Sequence, residues 1–353
     1  MRTALTALFV TIAAFSGEPT VDSLIENGHW KRARELAQAS FKAHPEDPRA
    51  NYILAKIQHA FGNLDEAAKL AEAAVRLDPK MSASHRELGE IYAGQADHVS
   101  FLKQIGFAHK IRAEFEAALA IAPKDVDNLT DQIQYFMEAP GVAGGDKNKA
   151  AEMADDLVKL DPVSGYLALA YIAVQQKQND KLEGLYQKAV ECNPRNYGAQ
   201  ISLANYYASP QHANYGLSEQ HSQTALVQNP DRIGAYKLLA MALVGQKRFD
   251  DVAKLMARAE TSIPDDLSPY VFAARAMLRD SVELSKAETY LKKYVTETRE
   301  SEAGAPLIAG AHWSLGLVYE KEGRKPDARN ELETALRLKP DFQPAKRDLK
   351  RLK

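Results

Sequence analysis

The chain has 353 residues, with 45 lysines and arginines against 47 aspartates and glutamates, so its formal net charge is -2. This balance excludes the strongly basic composition expected of a protein that binds nucleic acid or an anionic membrane. Hydrophobic residues make up 45% of the chain, which is typical of a folded helical protein and not of a disordered one. Cys192 is the only cysteine, which excludes an intramolecular disulfide and a cysteine-based zinc site.

The N-terminus has the pattern of a secretory signal peptide. Arg2 provides a positive charge, residues 4–15 form an uncharged apolar run, and Ala14 and Ser16 place small residues before a cleavage point. The run is shorter than the roughly 20 apolar residues that span a bilayer. We therefore predict a cleaved signal peptide at residues 1–16, with a periplasmic or secreted bacterial protein. The alternative is that this segment begins the fold of a cytoplasmic protein.

Prolines that end apolar helical runs reveal an internal repeat. They are Pro45, Pro79, Pro123, Pro162, Pro194, Pro230, Pro264 and Pro340. Three spacings between prolines, 45 to 79, 230 to 264 and 306 to 340, are 34 residues. Proline cannot continue a helix, and it moves the residue before it out of the helical region. A helix–turn–helix period of 34 residues ending in proline indicates the tetratricopeptide repeat.

The last repeat carries the interior pattern most completely. Leu315-Gly316 and Tyr319 would lie on its first helix, and Ala328 and Ala335 on its second, before Pro340. This order resembles the L-G-x-x-Y…A…A…P pattern of the tetratricopeptide family, in which small residues allow close helix approach. The resemblance implies an all-α, right-handed superhelical solenoid. It also implies a protein-binding scaffold whose first helices line a concave groove.

We predict about nine helix–turn–helix units in a single solenoid over residues 17–353, followed by a C-terminal capping helix. The units are 18–45, 48–79, 82–123, 126–162, 163–194, 197–230, 233–264, 267–302 and 309–340, with the cap at 344–353. The cap would cover the last apolar surface. No stretch is long enough for a catalytic domain, so we predict no enzyme activity, no cofactor and no metal.

Two units are longer than the period. The third has ten extra residues around positions 95–110, and we expect its apolar side chains to pack: Phe101, Leu102, Ile105 and Phe107. The fourth has five extra residues in an interhelical turn at residues 139–146, where Asp146 can cap the next helix. Residues 139–150 resemble an APG-[IV]-xGG-[SD]-K-x-KA loop of exported bacterial tetratricopeptide proteins, which supports export.

The family resemblance implies groove positions at the second, fifth, ninth and twelfth residues of each first helix. On this chain the predicted groove residues are Arg49, Tyr52, Lys56, His59, Arg86, Glu90, Gln134, Tyr171, Asn205, Lys237, Arg275 and Trp313. Mixed charge with aromatic residues is typical of a peptide-binding groove. An ordinary solvated helix face is the alternative for each residue. We predict a protein or peptide partner and no nucleic acid, with no membrane span after signal cleavage.

Two other functions are also compatible with the sequence. Exposed aromatic residues such as Tyr52 and Trp313 could stack on sugars, as in a carbohydrate- or peptidoglycan-binding solenoid. Alternatively, His98, His109 and Asp146 could form a hydrolase or metal site on the two inserts. No histidine pair has the i, i+4 spacing of a helical zinc site. Carboxylate pairs such as Asp265/Asp266 are expected at helix starts or in solvated turns.

Overall fold

The computed structural model describes residues 19–298 and 305–352, so the predicted signal peptide at 1–16 lies outside the described residues. The described residues form nineteen α-helices and no β-strand, which confirms the predicted all-α solenoid class. None of these helices is long and apolar enough to span a lipid bilayer. Helices pair along the chain as helix–turn–helix units, and each pair contacts the next pair.

The first helices of the pairs are α1 (Val21–Asn27), α3 (Pro48–Ala60), α5 (Ser82–Ala96), α7 (Val126–Glu138), α9 (Pro162–Gln175), α11 (Tyr197–Ala208), α13 (Ile233–Gly245), α15 (Ser268–Asp280) and α17 (Ala305–Lys321). The second helices are α2 (Trp30–Ala43), α4 (Leu64–Leu77), α6 (Phe101–Ile121), α8 (Lys147–Leu160), α10 (Leu182–Cys192), α12 (Tyr215–Gln228), α14 (Phe249–Ser262), α16 (Leu284–Glu297) and α18 (Lys325–Leu338). Helix α19 (Gln343–Arg351) follows the last pair. We call the surface formed by α3, α5, α7, α9, α11, α13, α15 and α17 the groove face.

Aspartates begin several first helices by capping them. The Asp47, Asp125 and Asp161 side chains accept hydrogen bonds from the backbone N–H groups of Arg49, Asn128 and Ser164. Each bond satisfies a backbone donor that the first turn of a helix leaves without an intrahelical partner. A turn that contains proline therefore ends one unit, and an aspartate in or beside that turn caps the first helix of the following unit.

Small residues allow the helices of a unit to approach closely. A Cβ atom added to Gly89 on α5 would lie 2.5 Å from the Phe115 ring on α6. On the last unit, a Cβ atom at Gly316 would lie 3.1 Å from the Ala328 carbonyl oxygen. Ala118 and Ala335 are fully buried. The small and large positions of the repeat therefore fix where each second helix crosses its first helix.

The two inserts take different forms. The insert of the third unit lengthens α6 to 21 residues, and Phe107 packs beside Tyr92 with 6.1 Å between ring centroids. The expectation of packing is wrong for Leu102, which is 80% exposed, and the Phe101 side chain lies outside the described residues. The insert of the fourth unit is a 3₁₀ turn, Gly141–Ala143, between α7 and α8.

The turn of the fourth unit ends as predicted. The Asp146 side chain accepts hydrogen bonds from the backbone N–H groups of Asn148 and Lys149, at 3.0 and 3.1 Å, and so caps α8. Gly144 has a φ of +94°, which favours glycine. A Cβ atom at Gly145 would lie 1.7 Å from the Ala139 carbonyl oxygen, so the turn requires glycine there for close backbone approach.

The N-terminal pair contacts units more than 200 residues later in the chain. Both ring nitrogens of the buried His29 face acceptors: Nδ1 lies 2.8 Å from Asp265 Oδ1, and Nε2 lies 2.8 Å from the Asp231 carbonyl oxygen. Asn27 donates to Asp231 Oδ2 at 3.2 Å and accepts from Asn229 at 2.8 Å. We call these five residues the clasp.

The clasp departs from the rule that each unit of a solenoid contacts only its neighbours. It also corrects one expectation from the sequence. Asp265 is not a solvated turn residue, because its carboxylate is largely buried against His29. Its neighbour Asp266 accepts a hydrogen bond from the backbone N–H of Ser268, at the start of α15. The clasp therefore joins the first unit to the turns that precede α13 and α15.

Candidate protein-binding cavities on the groove face

A cavity of about 340 Å³ opens on the groove face between α5, α6 and α7. Helices α5 and α7 pack less closely than α3 and α5 or α7 and α9. The apolar residues that line this first cavity are Ala93, Ala96, Ala108, Ile111, Phe115, Tyr135, Ala139 and Pro140. Its polar residues are Glu90, Asp97, Gln104, Asp131, Gln134 and Glu138.

Both inserts contribute to the first cavity. Gln104 and Ala108 come from the added part of α6, and Ala139 and Pro140 come from the turn of the fourth unit. The buried Tyr135 hydroxyl joins the two inserts, because it lies within hydrogen-bond distance of the Ala108 and Ala143 carbonyl oxygens. A hydroxyl has one proton and donates to one of these oxygens at a time. The cavity is therefore specific to the place where the repeat departs from its period.

Two carboxylates of the first cavity share one neighbouring cation with the nearby Asp127. Arg86 Nη1 lies 3.3 Å from Glu90 Oε1 and 3.4 Å from Asp131 Oδ2, and Nη2 lies 3.5 Å from Asp127. Burial raises the pKa of Glu90 to about 7, and repulsion from Glu87 and Asp131 adds to this rise. The attraction of Arg86 opposes it. Burial also raises the pKa of Asp131, again against the attraction of Arg86.

His59, Glu87 and Glu90 are the residues beside this cavity that could hold a metal ion. One ligand atom from each lies within 4.8 Å of the others. The His59 ring already hydrogen-bonds Glu87 at 2.8 Å, which raises the pKa of His59 despite its burial. Arg86 holds Glu90 in an ion pair. The three side chains are therefore satisfied by protein groups without a metal.

A second cavity, of about 300 Å³, adjoins the first on the groove face between α7 and α9. Its lining includes Val126, Asp127, Thr130, Ile133, Gln134, Ser164, Leu167, Ala168 and Tyr171. Gln134 is exposed and lines both cavities. The Tyr171 hydroxyl donates to a Glu138 carboxylate oxygen, and Glu138 lines the first cavity. These two residues connect the cavities into one recess along α7.

Five of the predicted groove residues lie at this recess. Glu90 and Gln134 line the first cavity, and Tyr171 lines the second. Arg86 and His59 lie beside it through their bonds to Glu90 and Glu87. Asp131 and Glu138 are not among the predicted groove residues. The prediction used four fixed positions on each first helix, and these positions describe a unit of regular length. The irregular length of the third and fourth units was the signal in the sequence that marks this location.

The remaining predicted residues are spread along the chain. On α3, Arg49 is exposed and pairs with Asp22 of α1, while Tyr52 and Lys56 are half-buried. Asn205 is exposed on α11. The Lys237 ammonium lies 5.4 Å from the Phe272 ring centroid. The structure does not bring these residues into the recess.

Arg275 and Trp313 line a separate cavity near the C-terminus. Arg275 Nε donates to the Ser314 hydroxyl at 3.0 Å, and burial lowers the pKa of Arg275. The Trp313 indole N–H donates to Asp348 of α19 at 2.7 Å, and its ring meets the Phe342 ring edge-on. Trp313 therefore holds the capping helix in place and is not free to act as a binding anchor.

We predict that Tyr135→Phe loosens the turn of the fourth unit. The buried Ala108 and Ala143 carbonyl groups would lose the hydroxyl, which costs about 1–2 kcal/mol of unfolding free energy. Urea denaturation followed by circular dichroism measures this cost. Tyr166→Phe is the control, because Tyr166 is half-buried on α9 and its ring contacts Lys188. Equal stability of Tyr135→Phe and the control would show that the hydroxyl does not hold the inserts together.

The fold defines an all-α helical-repeat protein. Residues 20–99 and 284–341 match the family model of the tetratricopeptide repeat. These two segments together cover less than half of the chain. The central units that contain the recess lie largely outside the matched segments.

Several solved structures are similar to this chain at low identity. Yeast Tom70 has 15% identity and a TM-score of 0.49, with 94% of this chain and 86% of that chain covered. A thermophilic TPR protein from Thermus thermophilus has 20% identity and a TM-score of 0.46, covering 52% and 94%. A tetratricopeptide repeat protein from Parabacteroides merdae has 16% identity and a TM-score of 0.46, covering 86% and 98%. No curated protein matches the sequence significantly.

Proposed function

We propose that this chain is a non-catalytic scaffold that binds a protein or peptide segment on its groove face, at the recess along α7. The observation that carries the proposal is the pair of adjoining cavities joined at Gln134. Each is lined by both apolar and polar side chains, which is typical of pockets that receive side chains. Neighbouring pockets suit an extended segment that presents more than one side chain.

The electrostatics of the recess also favour binding over catalysis. Arg86 is held by the carboxylates of Glu90, Asp127 and Asp131, and Asp146 of the nearby turn is used as a helix cap. His98 and His109, the histidines of the inserts, are exposed. Arg86 and Asp146 therefore have structural roles that require no substrate. In the described part of the chain, no contact joins His98, His109 and Asp146 into the site that the hydrolase or metalloenzyme alternative needs.

The carbohydrate-binding alternative also has no supporting observation. It depended on Tyr52 and Trp313 as free stacking platforms. The Trp313 indole N–H donates to Asp348, and its ring packs against the Phe342 ring. Tyr52 is half-buried against the core. Two separated aromatic residues of this kind do not form a shared surface for a sugar ring.

A site-specific photocrosslink tests the proposed function. Gln134 would be replaced by p-benzoylphenylalanine, and the full chain irradiated in an extract of the cells that produce it. We expect a defined crosslinked protein from position 134. The same probe at Glu152, exposed on the second helix α8, should not give this product. A product shared by both positions, or none from position 134, would overturn the proposal.

We further propose that the scaffold acts outside the cytoplasm of a bacterium, after cleavage of residues 1–16. The charge, apolar run and small residues of that segment support this location. The resemblance of residues 139–150 to a loop of exported tetratricopeptide proteins supports it as well. N-terminal sequencing of the mature protein is the test. We expect a mature chain that begins at Gly17, and an uncleaved N-terminus in the producing cells would contradict export.

A further inference from the structure

The first cavity has a surplus of negative charge. Four of its lining residues, Glu90, Asp97, Asp131 and Glu138, are acidic, and none of the others is lysine, arginine or histidine. Arg86 lies beside the cavity, but three carboxylates share it. The lining also includes apolar side chains, among them Ala93, Ile111 and Phe115. The cavity therefore combines an apolar lining with an acidic lining.

We infer that the first cavity receives a lysine or arginine side chain from an extended segment of the partner; this inference rests on the proposed function of the groove face. The methylene stem of that side chain would lie along Ala93, Ile111 and Phe115. Its charged head would meet the acidic groups of the lining, and charge-assisted hydrogen bonds to them are stronger than neutral ones.

Other side chains fit this cavity less well. A purely apolar side chain would remove water from the acidic groups of the lining without adding a compensating positive charge, which is unfavourable. An acidic side chain would meet four carboxylates and be repelled. A cationic side chain with a long apolar stem matches both the apolar and the acidic lining.

The pair Glu90 and Asp131 shows how a cation would be recognised. Both carboxylates approach the same atom of Arg86, Nη1, so they lie close together. Burial beside Glu87 and Asp131 raises the pKa of Glu90 to about 7, so this group holds a proton for much of the time near neutral pH. A partner cation would take the place of that proton. Binding should therefore strengthen as pH rises and Glu90 ionises.

The surrounding groups support the same direction of pH dependence. Helix α3 contributes Lys56 and His59, α5 contributes Arg86 and Glu87, and α7 contributes Asp127 and Asp131. The hydrogen bond to Glu87 raises the pKa of His59. Deprotonation of His59 removes positive charge beside Glu90, so it also strengthens the attraction of the cavity for a cation as pH rises.

Fluorescence anisotropy with a labelled peptide tests the inference. The probe is an acetylated and amidated decapeptide of alternating alanine and lysine. Two matched peptides carry norleucine or glutamate in place of lysine, and all solutions contain EDTA to exclude a bridging metal. We expect the lysine peptide to bind about tenfold more tightly than the norleucine peptide. Its affinity should be higher at about pH 8 than at about pH 6, and the glutamate peptide should not bind.

Matched protein variants locate the effect. Glu90→Gln should weaken binding of the lysine peptide about tenfold and remove most of the pH dependence. Glu138→Gln changes an exposed carboxylate of the same cavity and provides a second test that does not alter the buried cluster. Glu152→Gln removes an exposed charge on α8 and should leave the affinity unchanged. Circular dichroism confirms that each variant is folded.

The outcomes separate this inference from the proposed function. Equal affinity for the lysine and norleucine peptides, or equal loss in Glu152→Gln and Glu90→Gln, would overturn the cationic occupant. If the crosslink from position 134 persists unchanged in Glu90→Gln, the groove binds its partner without a cation in this cavity, and only the inference fails. If neither that crosslink nor peptide binding occurs, the proposed function fails as well.

Discussion

Replacing His29 with alanine is expected to release the N-terminal helix pair from the turns before α13 and α15. Both ring nitrogens of His29 face acceptors of Asp231 and Asp265. Alanine would leave the largely buried Asp265 carboxylate without its partner. Hydrogen bonds to charged groups contribute about 1.5–3 kcal/mol, but Asp231 is 46% exposed and therefore partly screened. We expect a loss of about 1–2 kcal/mol in the stability of the clasp.

The release is measurable as faster amide hydrogen exchange in α1 and α2. A loss of this size corresponds to roughly a five- to thirtyfold faster exchange where the equilibrium between closed and locally open states determines the exchange rate. His98→Ala is the control, because His98 is exposed and lies outside the clasp. Unchanged protection of α1 and α2 in His29→Ala would show that these contacts do not hold the N-terminal pair.

The clasp should also respond to pH, because its geometry suits a protonated ring. A neutral imidazole has one N–H, so one of its nitrogens would face an acceptor without a proton to donate. Burial works against the charged ring, but the hydrogen bond to Asp265 and the charges of Asp265 and Asp231 outweigh it. The pKa of His29 is therefore raised above 6.5. Its contribution is complete below about pH 6.5 and is lost as pH rises through the raised pKa.

The acidic partner defines the other limit of the pH range. Burial alone would raise the pKa of Asp265, but the hydrogen bond and charge of His29, with Arg32 nearby, lower it below 3.8. Its contribution is present above about pH 3.8 and is lost as pH falls through the lowered pKa. We therefore expect the strongest clasp between about pH 4 and pH 6.5. Exchange corrected for its intrinsic pH dependence should show this range in the natural chain but not in His29→Ala.

The second large effect is expected at the crossing of α8 and α9. A Cβ atom at Gly165 would lie 2.3 Å from the Val158 backbone nitrogen and 2.4 Å from its Cα. These are backbone atoms, so the conflict requires the two helices to separate. Gly165→Ala should lower the unfolding free energy by about 1–3 kcal/mol. The measurement is the urea midpoint of the circular dichroism signal.

Gly106→Ala is the matched control for this prediction. Gly106 lies within the exposed part of α6, and no atom lies within 4 Å of a Cβ placed there. Alanine is the better helix former, so this variant should gain roughly 0.5–1 kcal/mol. The same glycine-to-alanine change thus has opposite signs at two helical sites. Stabilisation by both variants would show that α8 and α9 do not depend on a glycine at their crossing.

The recess shows which part of the site was predictable. Glu90 and Gln134 follow from the groove positions of a regular unit, and the two inserts were recognised as departures from the period. The role of Asp131 and Glu138 was not predictable, because it depends on how the longer α6 and the following turn lie against α7. A rule with fixed positions describes regular units, and the cavity forms where the units are irregular.

The amino-acid sequence by itself determined the helical units. Prolines such as Pro79 and Pro340 end helices, aspartates such as Asp47 begin them, and small residues such as Gly89 set the close crossings. Each of these effects acts over a few residues or within one unit. The residues responsible therefore recur at a regular spacing that can be recognised in the sequence.

Only the tertiary structure decided the clasp and the recess. His29 meets Asp265 across 236 positions in the chain, and no local pattern marks two residues that distant as partners. Their meeting depends on the summed angles of all intervening units, each set by side-chain packing at its own interfaces. The charge of the first cavity likewise depends on burial and on shared contacts with Arg86. These properties arise from the assembled chain and not from any one repeat.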